Sequence, residues 1–210
     1  MRITNVIALI VITVSFCIGF YFYPQMSSTI ASHWDSSGQV NGYMSRFWGL
    51  FLMPIISLLL FLLFISIPKM EPLKENVEKF KKYFDTFILI IILFLFYIYL
   101  LTVCWNLGGR FNMIMMMSPA IGAMFYYAGI LMEKSKRNWF IGIRTPWTLS
   151  SDKVWEKTHK IGGLLFKISG LLAIIGMFFG NYAIFFVLFP ILFTSVYTII
   201  YSYLEYRKSA

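Results

Sequence analysis

Six apolar stretches of roughly membrane-crossing length alternate with polar connections, and this alternation restricts the fold more than any motif does. They run over about residues 5–23, 47–67, 86–106, 113–132, 164–179 and 183–203. About 20 apolar residues in a helix span the ~30 Å hydrocarbon layer of a bilayer. In lipid every backbone polar group needs a partner within the chain, so such stretches fold as helices. The expected architecture is an all-α integral membrane protein, a single domain over residues 1–210, with six transmembrane helices in three helical hairpins. Composition agrees, since only 13% of residues are charged and mean hydropathy is +0.74, against about 25% charged in soluble domains.

Net charge is +9. In a soluble protein that would suggest nucleic acid, but cytoplasmic loops of membrane proteins carry excess Lys and Arg. With an even number of crossings both termini share one side. Placing them in the cytoplasm puts fifteen Lys and Arg inside and two, Arg46 and Arg110, outside. Lys167 falls within the fifth stretch and is expected to snorkel to the inner interface. The expected localisation is therefore the cell membrane, multi-pass, with the bilayer as a partner and no direct contact with nucleic acid.

The first stretch is longer than a signal-peptide core and lacks a small-residue cleavage site, so it is expected to stay as a helix. Pro24 is expected to end it and Pro68 to end the second. The outer connection, 24–46, is turn-rich, with Asp35-Ser36-Ser37-Gly38 and Asn41-Gly42. Asn-Gly can mark a hairpin, but its flanks are too short to assign strands. His33, Trp34 and Asp35 form its chemical cluster. They read either as a ligand site or as interfacial anchoring by Trp34 and Tyr43.

The connection at 68–85 reads as a short solvated helix, with Glu75–Lys79 and Glu78–Lys82 at i,i+4 spacing. Pro54, Pro119 and Pro190 lie at similar depth in alternate helices. Ser169, Ala173, Gly176 and Gly180 form a small-residue stripe suited to close helix contact. Cys17 and Cys104 lie in apolar runs and form no disulfide framework. Met113, Met115, Met116 and Met117 read as apolar filler. No metal or cofactor motif is present.

The longest interruption, 133–163, holds the richest chemistry. Residues 138–143 are apolar enough to lie among headgroups. Thr145-Pro146 favours extended backbone, and Ser150 is a candidate N-cap. Residues 151–160 suggest an interfacial helix with Val154, Trp155 and Thr158 on one face and Lys153, Glu156, Lys157 and Lys160 on the other. Arg144 is a candidate for contact with phospholipid or an acidic partner.

RNWFIGIRTPWTLSSDKVWEKTHKIGG in this connection, and IASHWDSSGQVNGYMSR outside, resemble the two signature segments of the SdpI family of bacterial immunity and signalling membrane proteins. The second is similar to the family's N-terminal domain of unknown function, in the pattern H-W-x-x-x-G-x-x-x-G-Y. The resemblance extends over nearly the whole chain. It implies protection against a secreted toxin peptide and capture of a small cytosolic transcriptional repressor. It marks His33, Trp34, Gly38, Gly42 and Tyr43 outside, with Asp35 beside them, as the expected toxin-facing set. Inside it marks Asn138, Gly142, Arg144, Thr145, Pro146, Trp147, Trp155, Thr158, His159 and Gly162 as the expected partner-docking set.

Two other functions compete with an immunity receptor. A small-solute transporter or toxin exporter would usually place ionisable groups within the membrane, yet all nine acidic residues fall in connections or at helix ends. A membrane enzyme would need a nucleophile or paired carboxylate beside His33 or His159, and neither has one nearby in sequence. The expectation is a non-enzymatic protein.

Overall fold

The computed structural model describes residues 2–208. Its long helices are α1 (Ile3–Phe22), α2 (Arg46–Met70), α3 (Lys74–Asn106), α4 (Met113–Lys134), α6 (Asp152–Gly176) and α7 (Ala183–Arg207). A short helix, α5 (Pro146–Ser150), lies in the connection between α4 and α6. Among the described residues, five helical stretches are long and apolar enough to cross a membrane: Ile3–Gln25, Arg46–Met70, Lys74–Asn106, Met113–Lys134 and Asp152–Arg207. The last, at 56 residues, would be ~84 Å long as one rod. Phe179 and Gly180 leave helical geometry and break it, Gly180 at φ 56° and ψ −127°. The halves then pair antiparallel, with Lys157 against Glu205 and Ser169 against Thr194.

α2 and α3 bury large apolar side chains, among them Phe61, Phe80, Phe84, Ile88 and Ile92, whereas α1 and α7 bury mostly small residues. On α7 the exposed residues include Phe189, Leu192, Phe193 and Val196, while Thr194, Thr198 and Ser202 are buried. On α1 the buried stripe is Ala8, Ile12, Ser15 and Gly19. Lipid solvates large apolar side chains on the outer faces of α1 and α7, and small and hydroxyl residues take the helix contacts there. Some of the buried hydroxyls are satisfied locally: Ser15 and Ser118 donate to the carbonyls of Val11 and Ile114, four residues back.

α4 packs chiefly on α6, and also on α3. Two glycine pairs set the α4–α6 contact. A Cβ on Gly122 would lie 2.5 Å from the Gly170 carbonyl, and one on Gly129 the same distance from that of Gly163. Each helix thus places two glycines seven residues apart, two turns on one face. Ser169, Ala173 and Gly176 of the expected small-residue stripe are buried, but Gly180 falls in the break between α6 and α7.

Several expectations need correction. The chain is not purely helical, because the 24–46 connection contains an antiparallel hairpin of β1 (Thr29–Trp34) and β2 (Val40–Ser45). Its tight reversal needs so few residues that the two six-residue strands fit. Pro68 does not end α2, which runs on to Met70 with the Glu71 amide closing the last turn on Ile67. A proline lacks only its own donor and one acceptor's partner, and the helix end tolerates that loss. The 68–85 connection is mostly the start of α3, whose 33 residues hold no Gly or Pro. Its i,i+4 ion pair is Lys81–Asp85 at 3.6 Å, and Lys79 instead reaches Asn76. The interfacial helix and the fifth crossing helix are likewise one helix, α6. Gly162 and Gly163 stay helical because Ile143, Glu133 and Gly129 pack against them. Lys167 reaches Glu133, in the last turn of α4, at 2.6 Å.

Candidate functional site

α3 carries an anchored connection at each end. At its C-terminus Asn106 brackets the hairpin, its Oδ1 accepting from the Ala31 amide at 2.8 Å and its Nδ2 donating to the Ala31 carbonyl at 3.0 Å. Near its N-terminus the Asn76 Nδ2 donates to the Arg137 carbonyl at 2.9 Å. Thirty residues of continuous helix separate them, ~45 Å at 1.5 Å per residue, which is the thickness of a bilayer with its headgroups.

At the hairpin end, Asp35 Oδ1 accepts from the amides of Ser37 and Gln39 at 2.8 and 3.0 Å. Gly38, at φ 77°, completes the turn. His33 meets the Asn41 side chain through Nδ1. Gly42 faces His33 so closely that a Cβ would lie 2.9 Å from the His33 Cβ. Trp34 stands edge-on to Trp105, which packs on Phe111 in turn, and its buried indole N–H has no acceptor among the described residues. Tyr43 is 69% exposed. Asp35 and Gly38 therefore shape the turn, Gly42 lies in β2 across from His33, and His33 and Tyr43 face outward. Sequence reasoning missed the Asn106 bracket, since its partner is 75 residues away.

At the linker end the signature segment is largely buried. Asn138 is 0% exposed. Its Nδ2 donates to the carbonyls of Lys136 and Ile141, and its Oδ1 accepts from the amides of Phe140 and Ile141. Gly142, at φ 112°, then brings the chain over α6. There His159 stacks on Trp155 at 3.9 Å between ring centroids. His159 Nδ1 lies 2.9 Å from the Trp155 carbonyl and must donate to it, so Nε2 is free to accept from the Ile143 amide at 2.9 Å. Both nitrogens are used by the neutral tautomer. Burial lowers the imidazole pKa to about 4, despite its hydrogen bond to Trp155. His159 stands on the polar first turns of α6, ahead of the apolar run that begins at Leu164. The Trp155 indole donates to the Ser135 carbonyl at 3.2 Å, and a Cβ at Gly162 would press on Ile143. Thr158 is buried, and its hydroxyl has no hydrogen-bond partner among the described residues.

Thr145, extended as its following proline requires, caps α5 in a reciprocal box with Thr148. Its hydroxyl also meets Ser202 of α7 at 3.1 Å. The N-cap of α6 is Ser151 rather than Ser150. Glu71, fully buried, accepts from the amides of Leu73 and Trp139 at 3.0 Å each and ties the linker to α2. Arg137 grips Asp152 at 2.7 Å and the Leu149 carbonyl at 2.8 Å. The sequence signalled neither anchor.

Of the expected docking set, Asn138, Thr145, Trp155, His159 and Gly162 lie inside the fold and hold the linker, and Thr158 is buried beside them. Arg144 and Pro146 are exposed, Trp147 is half-buried against Tyr203, and the neighbouring Trp139 is 52% exposed. Arg144 donates to the Trp139 carbonyl at 2.7 Å, which leaves one side of its guanidinium toward solvent.

Fold and site together define a class: a multi-pass membrane protein with a clamped polar connection at each end of its central helix. Residues 134–202, spanning the linker, α6 and most of α7, match the SdpI/YfhL protein family. Residues 10–58, from α1 through the hairpin into α2, match a domain of unknown function, DUF1648. The chain is similar along its length to the immunity protein SdpI of Bacillus subtilis (strain 168), with 25% identity over 205 residues, 97% of this chain and 96% of that protein. The SdpI/YfhL match covers the linker signature segment, and the DUF1648 match covers the hairpin segment. No solved structure matches it.

Proposed function

We propose that this chain is a non-enzymatic immunity protein of the cell membrane that protects against a secreted antimicrobial peptide. The observation that carries the reading is its similarity to an immunity protein over 97% of its length. In this reading α1, α2, α3, α4, α6 and α7 each cross the bilayer and both termini are cytoplasmic. The distribution of Lys and Arg supports that orientation, as does the break at Gly180. The hairpin then stands outside, where His33, Trp34 and Tyr43 meet the toxin. The linker stands inside, where Trp139, Arg144, Pro146 and Trp147 form the surface that recruits a cytosolic repressor.

The test is survival of a toxin-sensitive bacterial host that lacks its own immunity gene, exposed to the purified killing peptide. Wild-type chain is expected to protect and Trp34→Ala to lose protection. Arg144→Ala is expected to abolish recruitment of a repressor to membranes. Absence of protection despite good membrane expression would overturn the immunity reading and favour a transporter or exporter.

A further inference from the structure

α4, α6 and α7 converge near the linker on a groove with two chemistries. A cavity of about 400 Å³ is lined by Ile161, Leu164 and Tyr201 with Glu133, Lys157 and Lys160. A second, of about 440 Å³, is lined by Ser135, Lys136, Glu156 and His159 and shares Glu133 and Lys160 with the first. The apolar part begins where the apolar run of α6 begins. The polar part lies under the linker, and Lys160 belongs to both.

Charge pairing within the groove is nearly complete. Glu133 is held by Lys167 at 2.6 Å, Glu156 by Lys136 at 2.7 Å and Lys157 by Glu205 at 2.5 Å. Lys160 is exposed and makes no ion pair among the described residues. The uncompensated charge at the junction of apolar and polar cavities is therefore positive. A lysine there can lay its methylene stem on apolar surface and offer three donors at its tip.

We propose that this groove holds an anionic phospholipid, with its phosphate on Lys160 and an acyl chain along Ile161, Leu164 and Tyr201. An amphiphile satisfies both halves at once. A zwitterionic lipid brings its own cation beside the phosphate and gains less from Lys160. A free phosphate would leave the apolar cavity unfilled. The assignment rests on the chain lying in a bilayer and not on the immunity reading, so a failure of one leaves the other standing.

The test is native mass spectrometry of the full chain, purified in mild detergent and titrated with phosphatidylglycerol, phosphatidylcholine or glycerol 3-phosphate. One phosphatidylglycerol is expected to be retained at concentrations where phosphatidylcholine is lost. Lys160→Gln is expected to reduce its retention at least about fivefold, as loss of a groove cation that makes no ion pair among the described residues implies. Lys153→Gln, an exposed lysine of the same helix that lines neither cavity, should leave retention unchanged. Equal retention of both lipids, or equal losses in the two variants, overturns the proposal. Displacement of phosphatidylglycerol by equimolar glycerol 3-phosphate also overturns it, in favour of a free-phosphate site.

Discussion

A side chain at Gly142 would run into Nε2 of His159, the atom that accepts the Ile143 amide proton. Gly142 also stands at φ 112°, where L-residues are strained. Gly142→Ala is therefore expected to cost about 2–4 kcal/mol, combining backbone strain with overpacking. Gly108 has a similar φ of 106° but open space around it, so Gly108→Ala isolates the strain and should cost only about 1 kcal/mol. Thermal midpoints in a non-ionic detergent compare the two. Equal losses would show that the His159 contact contributes nothing.

The same imidazole makes stability depend on pH. Its folded-state pKa, near 4, lies below the ordinary 6.5, so the fold favours the neutral ring. That contribution is fully present above pH 6.5 and is lost as pH falls from there through about 4, because only the unfolded chain takes up the proton in this window. The loss amounts to roughly 3 kcal/mol at most. His159→Gln can still donate and accept and does not titrate, so its stability should be lower at pH 7.5 but flatter between pH 6.5 and 4. Parallel pH profiles for the two proteins would remove His159 as the cause.

Gly170 lies against the Gly122 carbonyl and the Tyr126 backbone, where no neighbour can swing away. Gly170→Val is expected to push α4 from α6 and cost at least about 3 kcal/mol, the upper end of overpacking penalties. Gly180→Val meets no such neighbour and tests only the turn. A Gly170→Val protein as stable as wild type would mean that the α4–α6 contact is looser than the glycine pairs imply.

Asn106 and Asn76 should be separable. Asn106→Ala leaves the buried Ala31 backbone groups without partners, a local cost of about 1–3 kcal/mol. Amide hydrogen exchange across residues 29–45 is expected to speed up while residues 135–151 stay protected. Asn76→Ala should loosen the linker and spare the hairpin. Both regions responding to either variant would show that α3 transmits the change from one end to the other.

Hydropathy along the chain was sufficient to determine a membrane class and the places of its apolar runs, because lipid acts on each residue locally. The two signature segments were legible for a similar reason, as each is a contiguous string. Helix continuity was not. Residues 74–85 and 152–160 look like separate polar helices by composition, yet nothing in their backbones stops them, and α3 and α6 run straight through. The hairpin was equally hidden, since strand pairing in 29–45 is completed by Asn106 far along the chain. Only the tertiary structure decided where the residues of the linker signature lie. Asn138, Thr145, Trp155 and His159 are polar or amphipathic residues that composition assigns to a surface. They are buried where the linker's backbone groups require internal partners; Glu71 at the end of α2 and Asn76 of α3 supply two of these, and Ser202 of α7 meets the Thr145 hydroxyl.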